Sequence, residues 1–249
     1  MEVNILASGS QGNCIALRSG QTTILVDAGI AKTKIEKRLL EVGIRADKID
    51  AILITHAHSD HIKGVSLANK YKIPVYASEG EWEDINGVCE DLQRTIRSGW
   101  EVILEDDWHI EAFDTHHDAR GPLGYVITDC QNGYQCSICL DTGKVDDVML
   151  EVMKDSHIYI IEANHEPNMV EASDYPTSVK ARILSHIGHL SNEQTAEALS
   201  ELVSGRGEKI YLTHLSSKNN LPALAEMTVK RALTKKALKA GTHYEIEVI

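Results

Sequence analysis

The chain has 249 residues, 43% of them hydrophobic and 25% charged, which suffices for a single globular domain over 1–249 with a full core. A net charge of −12 excludes holding a polyanion with the whole surface, because affinity for a phosphate backbone rests on Lys and Arg. The N-terminus MEVNILASGS has no basic stretch ahead of an apolar one, no apolar run reaches membrane-spanning length, and five cysteines form no regular framework. A cytoplasmic protein with reduced thiols and no membrane contact is expected.

In chain order, VNILA, CIAL, TTILVDAG, AILIT, PVYA, WHIEAFDT, GYVITD, YQCSICLD, HIYIIEA and KIYLTH are apolar or alternating runs bounded by Gly, Asp and Asn, the pattern of strands. Helical spacing covers 31–42, 62–72, 145–154, 191–203 and 221–240, and the fourth helix opens on Ser191 with Gln194 three residues later, a capping box. The grouping of strands and helices in each half predicts two sheets with helices outside, an α+β fold. Cys136 and Cys139 form a CxxC with no second pair, on a segment that reads as a strand, so they are read as small core residues.

The polar residues with chemical potential stand at strand ends: Asp27, His56, His116 and His117, Asp141, His165 and His214. Rigid strands aim side chains from short loops into one crevice, so this registration points to a site. The densest stretch is THAHSDH at 55–61. In the turn leaving a strand, His56 and His58 converge on one cation while Asp60 and His61 point to a second. His117 completes the first set, His214 the second, and Asp141 stands between them. On an alternating strand only one of His116 and His117 faces the site, and His117 is preferred. Imidazole and carboxylate without thiolate suit two divalent ions, zinc or manganese, with iron a further candidate.

HAHSDH, followed by THHDARGPLGY, CLDTG, IEANHE, GHLSN and YLTHLSSKNN, resembles the metallo-β-lactamase-fold hydrolases, and ASGSQGNC narrows the resemblance to their YycJ/WalJ-type branch. It extends from Leu6 to about Asn220. It implies a four-layer αββα sandwich with a dinuclear site at one edge, held by His56, His58 and His117 on one metal, Asp60, His61 and His214 on the other, and Asp141 bridging. The doubled His116–His117 departs from the pattern by leaving that motif's alignment open by one residue. Retention of His58, where dioxygen-using members of the fold carry Glu, favours hydrolysis.

Two closely spaced cations activate water and stabilise both oxygens of an in-line displacement. GHLS at 188–191 resembles the motif that protonates the leaving oxygen in ribonuclease Z, which makes His189 the candidate general acid and Asp60 a catalytic residue of the metal motif. SGSQGN offers a candidate phosphate cradle with Ser8, Ser10 and Asn13. His165 either orients substrate, supports a ligand or is a loop histidine. Lys230, Arg231, Lys235, Lys236 and Lys239 form the one evident basic run, read as either a solvated helix face or a backbone contact. The resemblance implies DNA as substrate, ahead of RNA, cut from a 5′ end. A small-molecule cyclic phosphodiesterase and a non-catalytic metal-binding regulator are the rival readings.

Overall fold

A computed structural model describes residues 1–104 and 107–249. The chain divides into two compact units, Met1–Ala112 with Ala119–Gly133, and Phe113–Asp118 with Tyr134–Ile249.

In the first unit, β1 (Glu2–Ala7), β2 (Cys14–Ser19), β3 (Thr22–Val26), β4 (Ala51–Leu53), β5 (Val75–Ala77) and β6 (Gln93–Thr95) lie in that order in one sheet. β1 to β3 run antiparallel and β3 to β6 parallel. β3 is buried along its whole length because both faces are covered, which its unbroken apolar sequence requires. Helix α1 (Lys32–Glu41) places Ile35 and Leu39 in a core with Leu25, Ile52, Ile54 and Val75. The helix expected over 62–72 is instead two pieces, α2 (Ser59–Ile62) and α3 (Leu67–Tyr71). They part at Gly64, where a Cβ would stand 2.2 Å from the Ile30 carbonyl oxygen. β7 (Glu101–Leu104), β8 (Trp108–Asp114) and β9 (Leu123–Asp129) follow, β7 pairing antiparallel with β8, whose last two residues count with the second unit.

In the second unit, β10 (Tyr134–Cys139), β11 (Ile158–Glu162), β12 (Glu208–Thr213) and β13 (Tyr244–Val248) form parallel neighbours in that order. Register sets Cys139 opposite Ile161, and Glu162 opposite Thr213. The C-terminal ends of β10, β11 and β12 therefore meet along one edge, the edge where parallel sheets gather ligands. The crossovers carry α4 (Asp147–Met153), α5 (Pro167–Ala172), α6 (Thr177–Ile183), α7 (Asn192–Leu202) and α8 (Pro222–Lys235). The capping box at Ser191 and Gln194 is formed on α7. Cys136 and Cys139 are buried on β10 and, like the other three cysteines, free; burial pushes both thiols far above their usual range. No helix among the described residues is long and apolar enough to cross a membrane.

Candidate metal centre

In the first unit, the residue after β3 is Asp27, fully buried and held at φ 62°. Its Oδ1 accepts the Thr55 backbone N–H at 2.8 Å, and its Oδ2 accepts from the Thr55 hydroxyl at 2.9 Å and from His61 Nδ1 at 2.7 Å. A carboxylate only accepts here, so His61 carries its proton on Nδ1 and keeps a lone pair on Nε2, where the Asn13 amide donates at 3.0 Å. His56 packs against His58 and His61 with ring centroids 4.6 and 4.0 Å apart. Asp60, in the first turn of α2, brings Oδ2 to 3.8 Å from His61 Nε2. Only glycine fits at Gly29 beneath this motif, since a Cβ would lie 1.6 Å from the Asp60 carbonyl oxygen.

The 8–13 loop lies against the motif. Asn13 N–H donates to the Asp60 carbonyl at 2.8 Å, Gly9 N–H to Asn13 Oδ1 at 3.0 Å, and Gly12 N–H to the Gly9 carbonyl at 2.9 Å. These three N–H groups are satisfied within the protein. Asn13 is 2% exposed and braces His61 rather than facing solvent, whereas Ser10 is exposed.

In the second unit, the strand-end register brings Asp141, Glu162, His189 and His214 together, each offering a ligand atom within 4.8 Å of the others. His214 Nδ1 is 3.1 Å from Asp141 Oδ1 and 3.4 Å from Glu162 Oε2. His189 Nδ1 donates to Glu162 Oε2 at 3.0 Å, and the other Glu162 oxygen accepts N–H groups of Thr142 at 2.6 Å and Leu190 at 3.2 Å. Burial lowers the His189 imidazole, but the charge and hydrogen bond of Glu162 outweigh it and raise the group above its ordinary value. Burial likewise raises Glu162, and the His189 charge outweighs it and lowers that carboxyl. His117 donates from Nδ1 to the Gly188 carbonyl at 3.0 Å and turns Nε2 to 3.7 Å from Asp141 and 3.3 Å from Asp118. Its desolvation lowers it despite Asp141, favouring the neutral ring. His116 turns away to Asp146 at 2.6 Å.

His165 is buried between GHLSN and the loop after β12, its backbone bridging to Ser191. Burial pushes it down to about 4, and its Nδ1 has no hydrogen-bond partner. Of the basic run, Lys230, Arg231 and Lys236 pair with Glu226, Glu193 and Glu201, the pattern of a solvated, charge-balanced helix face. α8 itself stops at Lys235, short of the expected 240.

Sequence reading missed Asp27 as the partner of His61, Glu162 as the carboxylate shared by two histidines, and Asp118, which Arg182 holds through both oxygens at 2.5 and 2.8 Å. Glu162 and Asp27 stand at strand ends like the others, and that was their only signal. Three site residues there are left-handed without being glycine: Asp27 at 62°, Asp141 at 44° and His214 at 55°. Backbone held in that region is strained and concentrates at functional sites.

The donors fit a divalent cation. His61, His117 and His214 aim Nδ1 at Asp27, the Gly188 carbonyl and Glu162, which fixes the tautomer and leaves Nε2 basic, the arrangement of metal-bound imidazole. No thiolate takes part, as expected for zinc or manganese rather than a softer ion.

The family model described as Beta-lactamase superfamily domain matches residues 22–215, and the chain belongs to that superfamily. Exodeoxyribonuclease YycJ of Bacillus anthracis is 37% identical over 250 residues, 99% of this chain and 94% of that protein. Exodeoxyribonuclease WalJ of Streptococcus pneumoniae is 39% identical over 249 residues, 98% of this chain and 92% of its own length, which puts the chain in the YycJ/WalJ branch. The crystal structure of the metallo-β-lactamase fold protein YhfI from Bacillus subtilis superposes with a TM-score of 0.74, at 16% identity over 99% of this chain and 95% of that one. The fold is the metallo-β-lactamase fold, and the protein is a metal-dependent hydrolase of that superfamily.

Proposed function

We propose that the chain is a dinuclear metal-dependent exonuclease that hydrolyses phosphodiester bonds of DNA from the 5′ end, acting in the cytoplasm as one domain over 1–249. The observation that carries the substrate is the likeness, over nearly the whole length, to two exodeoxyribonucleases. Five free thiols accord with a reducing compartment.

In this reading His56, His58 and His117 would hold one cation, Asp60, His61 and His214 the other, and Asp141 would serve both; zinc or manganese suits the donors. The assignment rests on HAHSDH and on family membership. The pair, when bound, supplies a hydroxide at neutral pH and neutralises charge on the phosphoryl oxygens. Asp27 and the Gly188 carbonyl keep His61 and His117 in the tautomers that ligation needs. Glu162 stabilises the imidazolium of His189, so His189 holds a proton on Nε2 and releases it to the departing sugar oxygen. Ser8 and Ser10 at the loop mouth, and the neutral His165, contact the substrate; Asn13 acts through His61.

The test compares 5′- and 3′-labelled DNA, RNA, a cyclic nucleotide and a nitrophenyl phosphodiester with the parent and His189→Ala at matched metal content. DNA should lose its 5′ label stepwise, and His189→Ala should slow DNA by about 10²–10⁴ while slowing the nitrophenyl ester much less, because that leaving group needs little protonation. Preference for the cyclic ester would install the small-molecule reading instead. Bound metal without turnover on any substrate would install the regulatory one. Equal slowing of both substrates would move the general acid elsewhere.

A further inference from the structure

The turn after α5 and the loop after β12 border an open cavity of about 550 Å³ that the reaction above does not use, within the ~300–1,000 Å³ of small-ligand sites. Met169, Ser173, Asp174, Tyr175, Lys218 and Asn219 line it. The two segments that border it lead back to His165 and His214. Glu166, next to His165, donates its N–H to the Asn219 carbonyl at 2.9 Å, and Ser216, two residues past His214, donates to the Asn164 carbonyl at 2.8 Å.

Three features of its wall point to one ligand. The Tyr175 ring is half-buried and lines the cavity, and the Lys218 ammonium lies over one of its faces, 5.3 Å from its centroid, leaving the other for a stacked ring. The Asp174 carboxylate on the same wall repels anions, so a phosphate is received on the Lys218 side. Asn219 is 1% exposed, its backbone fixed by Glu166 and by the Ser216 hydroxyl, yet its Oδ1 has no partner. Turning the amide over exchanges acceptor and donor, so Asn219 can meet either pattern on a ligand edge. A buried amide oxygen left unpaired is a cost, which a polar edge relieves once the amide turns to meet it.

We propose that this cavity takes one nucleotide of the DNA strand beside the scissile bond, with the base on the Tyr175 ring, the neighbouring phosphate on Lys218 and a base edge on Asn219. The proposal rests on the nuclease reading and adds a subsite to it. Stacking is sequence-tolerant because every base has a π-face, so the subsite grips a strand without reading it.

The experiment measures DNA exonucleolysis and nitrophenyl diester turnover for the parent, Tyr175→Ala, Tyr175→Phe and Lys218→Ala, with DNA carrying either ordinary or abasic terminal nucleotides. Tyr175→Ala and Lys218→Ala should raise KM for ordinary DNA about ten-fold or more beyond any change on the small diester. Tyr175→Phe should restore most of the loss, since the ring and not the hydroxyl is used. On abasic DNA the gap between parent and Tyr175→Ala should close while that of Lys218→Ala persists. Unchanged DNA KM in both alanine variants, or equal losses on both substrates, overturns the subsite and leaves the nuclease reading standing. A parent that cleaves no DNA overturns the nuclease reading and this subsite with it.

Discussion

At Asp27 a single buried carboxylate fixes the tautomer of His61, ties the Thr55 backbone and lies one residue beyond the strand that positions it. Asp27→Asn keeps the volume and tolerates the left-handed backbone, but replaces a charged acceptor with an amide. Metal affinity should fall about 10–100-fold, read by competition with a chelator, with a melting temperature close to the parent's. Undiminished affinity would mean that His61 is oriented by something else. The sequence made His56, His58, Asp60 and His61 legible because four ligand-type residues in six positions have no other economical explanation, and Asp141 and His214 legible through strand ends. Asp27 was legible as a strand-end residue but not as the partner of His61, and Glu162 and Asp118 were not legible, because a lone acidic residue at a strand end or in a loop resembles an ordinary surface carboxylate. His116 and His117 could be separated only by the loop that turns one to Asp146 and the other to Asp141.

Among the elements, β12 shows how a strand start is secured. Glu208, 2% exposed, accepts from Ser204 N–H and hydroxyl at 2.8 and 2.7 Å and from Arg206 N–H at 2.8 Å. Burial raises the Glu208 carboxyl, but these donors outweigh it and hold the group below its ordinary range. A depressed carboxyl stabilises the fold above its unfolded value and loses that contribution as pH falls through the folded one. Glu208→Gln should therefore destabilise by about 1–3 kcal/mol at neutral pH, with the deficit against the parent shrinking below about pH 4. Denaturant melts at both pH values decide it, and a deficit independent of pH would assign the loss to shape alone. All ten strands read from the sequence are present, because each carries an apolar run. β6, β7 and β13 escaped notice because they are short or alternate with charge, and α6 because it buries no residue and so shows no helical stripe.

For the molecule as a whole, a charge of −12 makes every unneutralised cation count. The densest basic run is largely balanced by Glu193, Glu201 and Glu226, so it contributes little field. Replacing Lys235, Lys236 and Lys239 together by alanine should change DNA KM less than about two-fold and leave its salt slope intact. A slope shallower by about 0.7 for each lysine lost would put the strand on α8 after all. The left-handed backbone at Asp27, Asp141 and His214 bears on how such a protein drifts over generations. Glycine or asparagine would sit at these positions with less strain, so a lineage freed from its reaction and kept only for robustness gains by changing them. Heat tolerance and chemistry pull in opposite directions at the same three codons, and the site would erode there first.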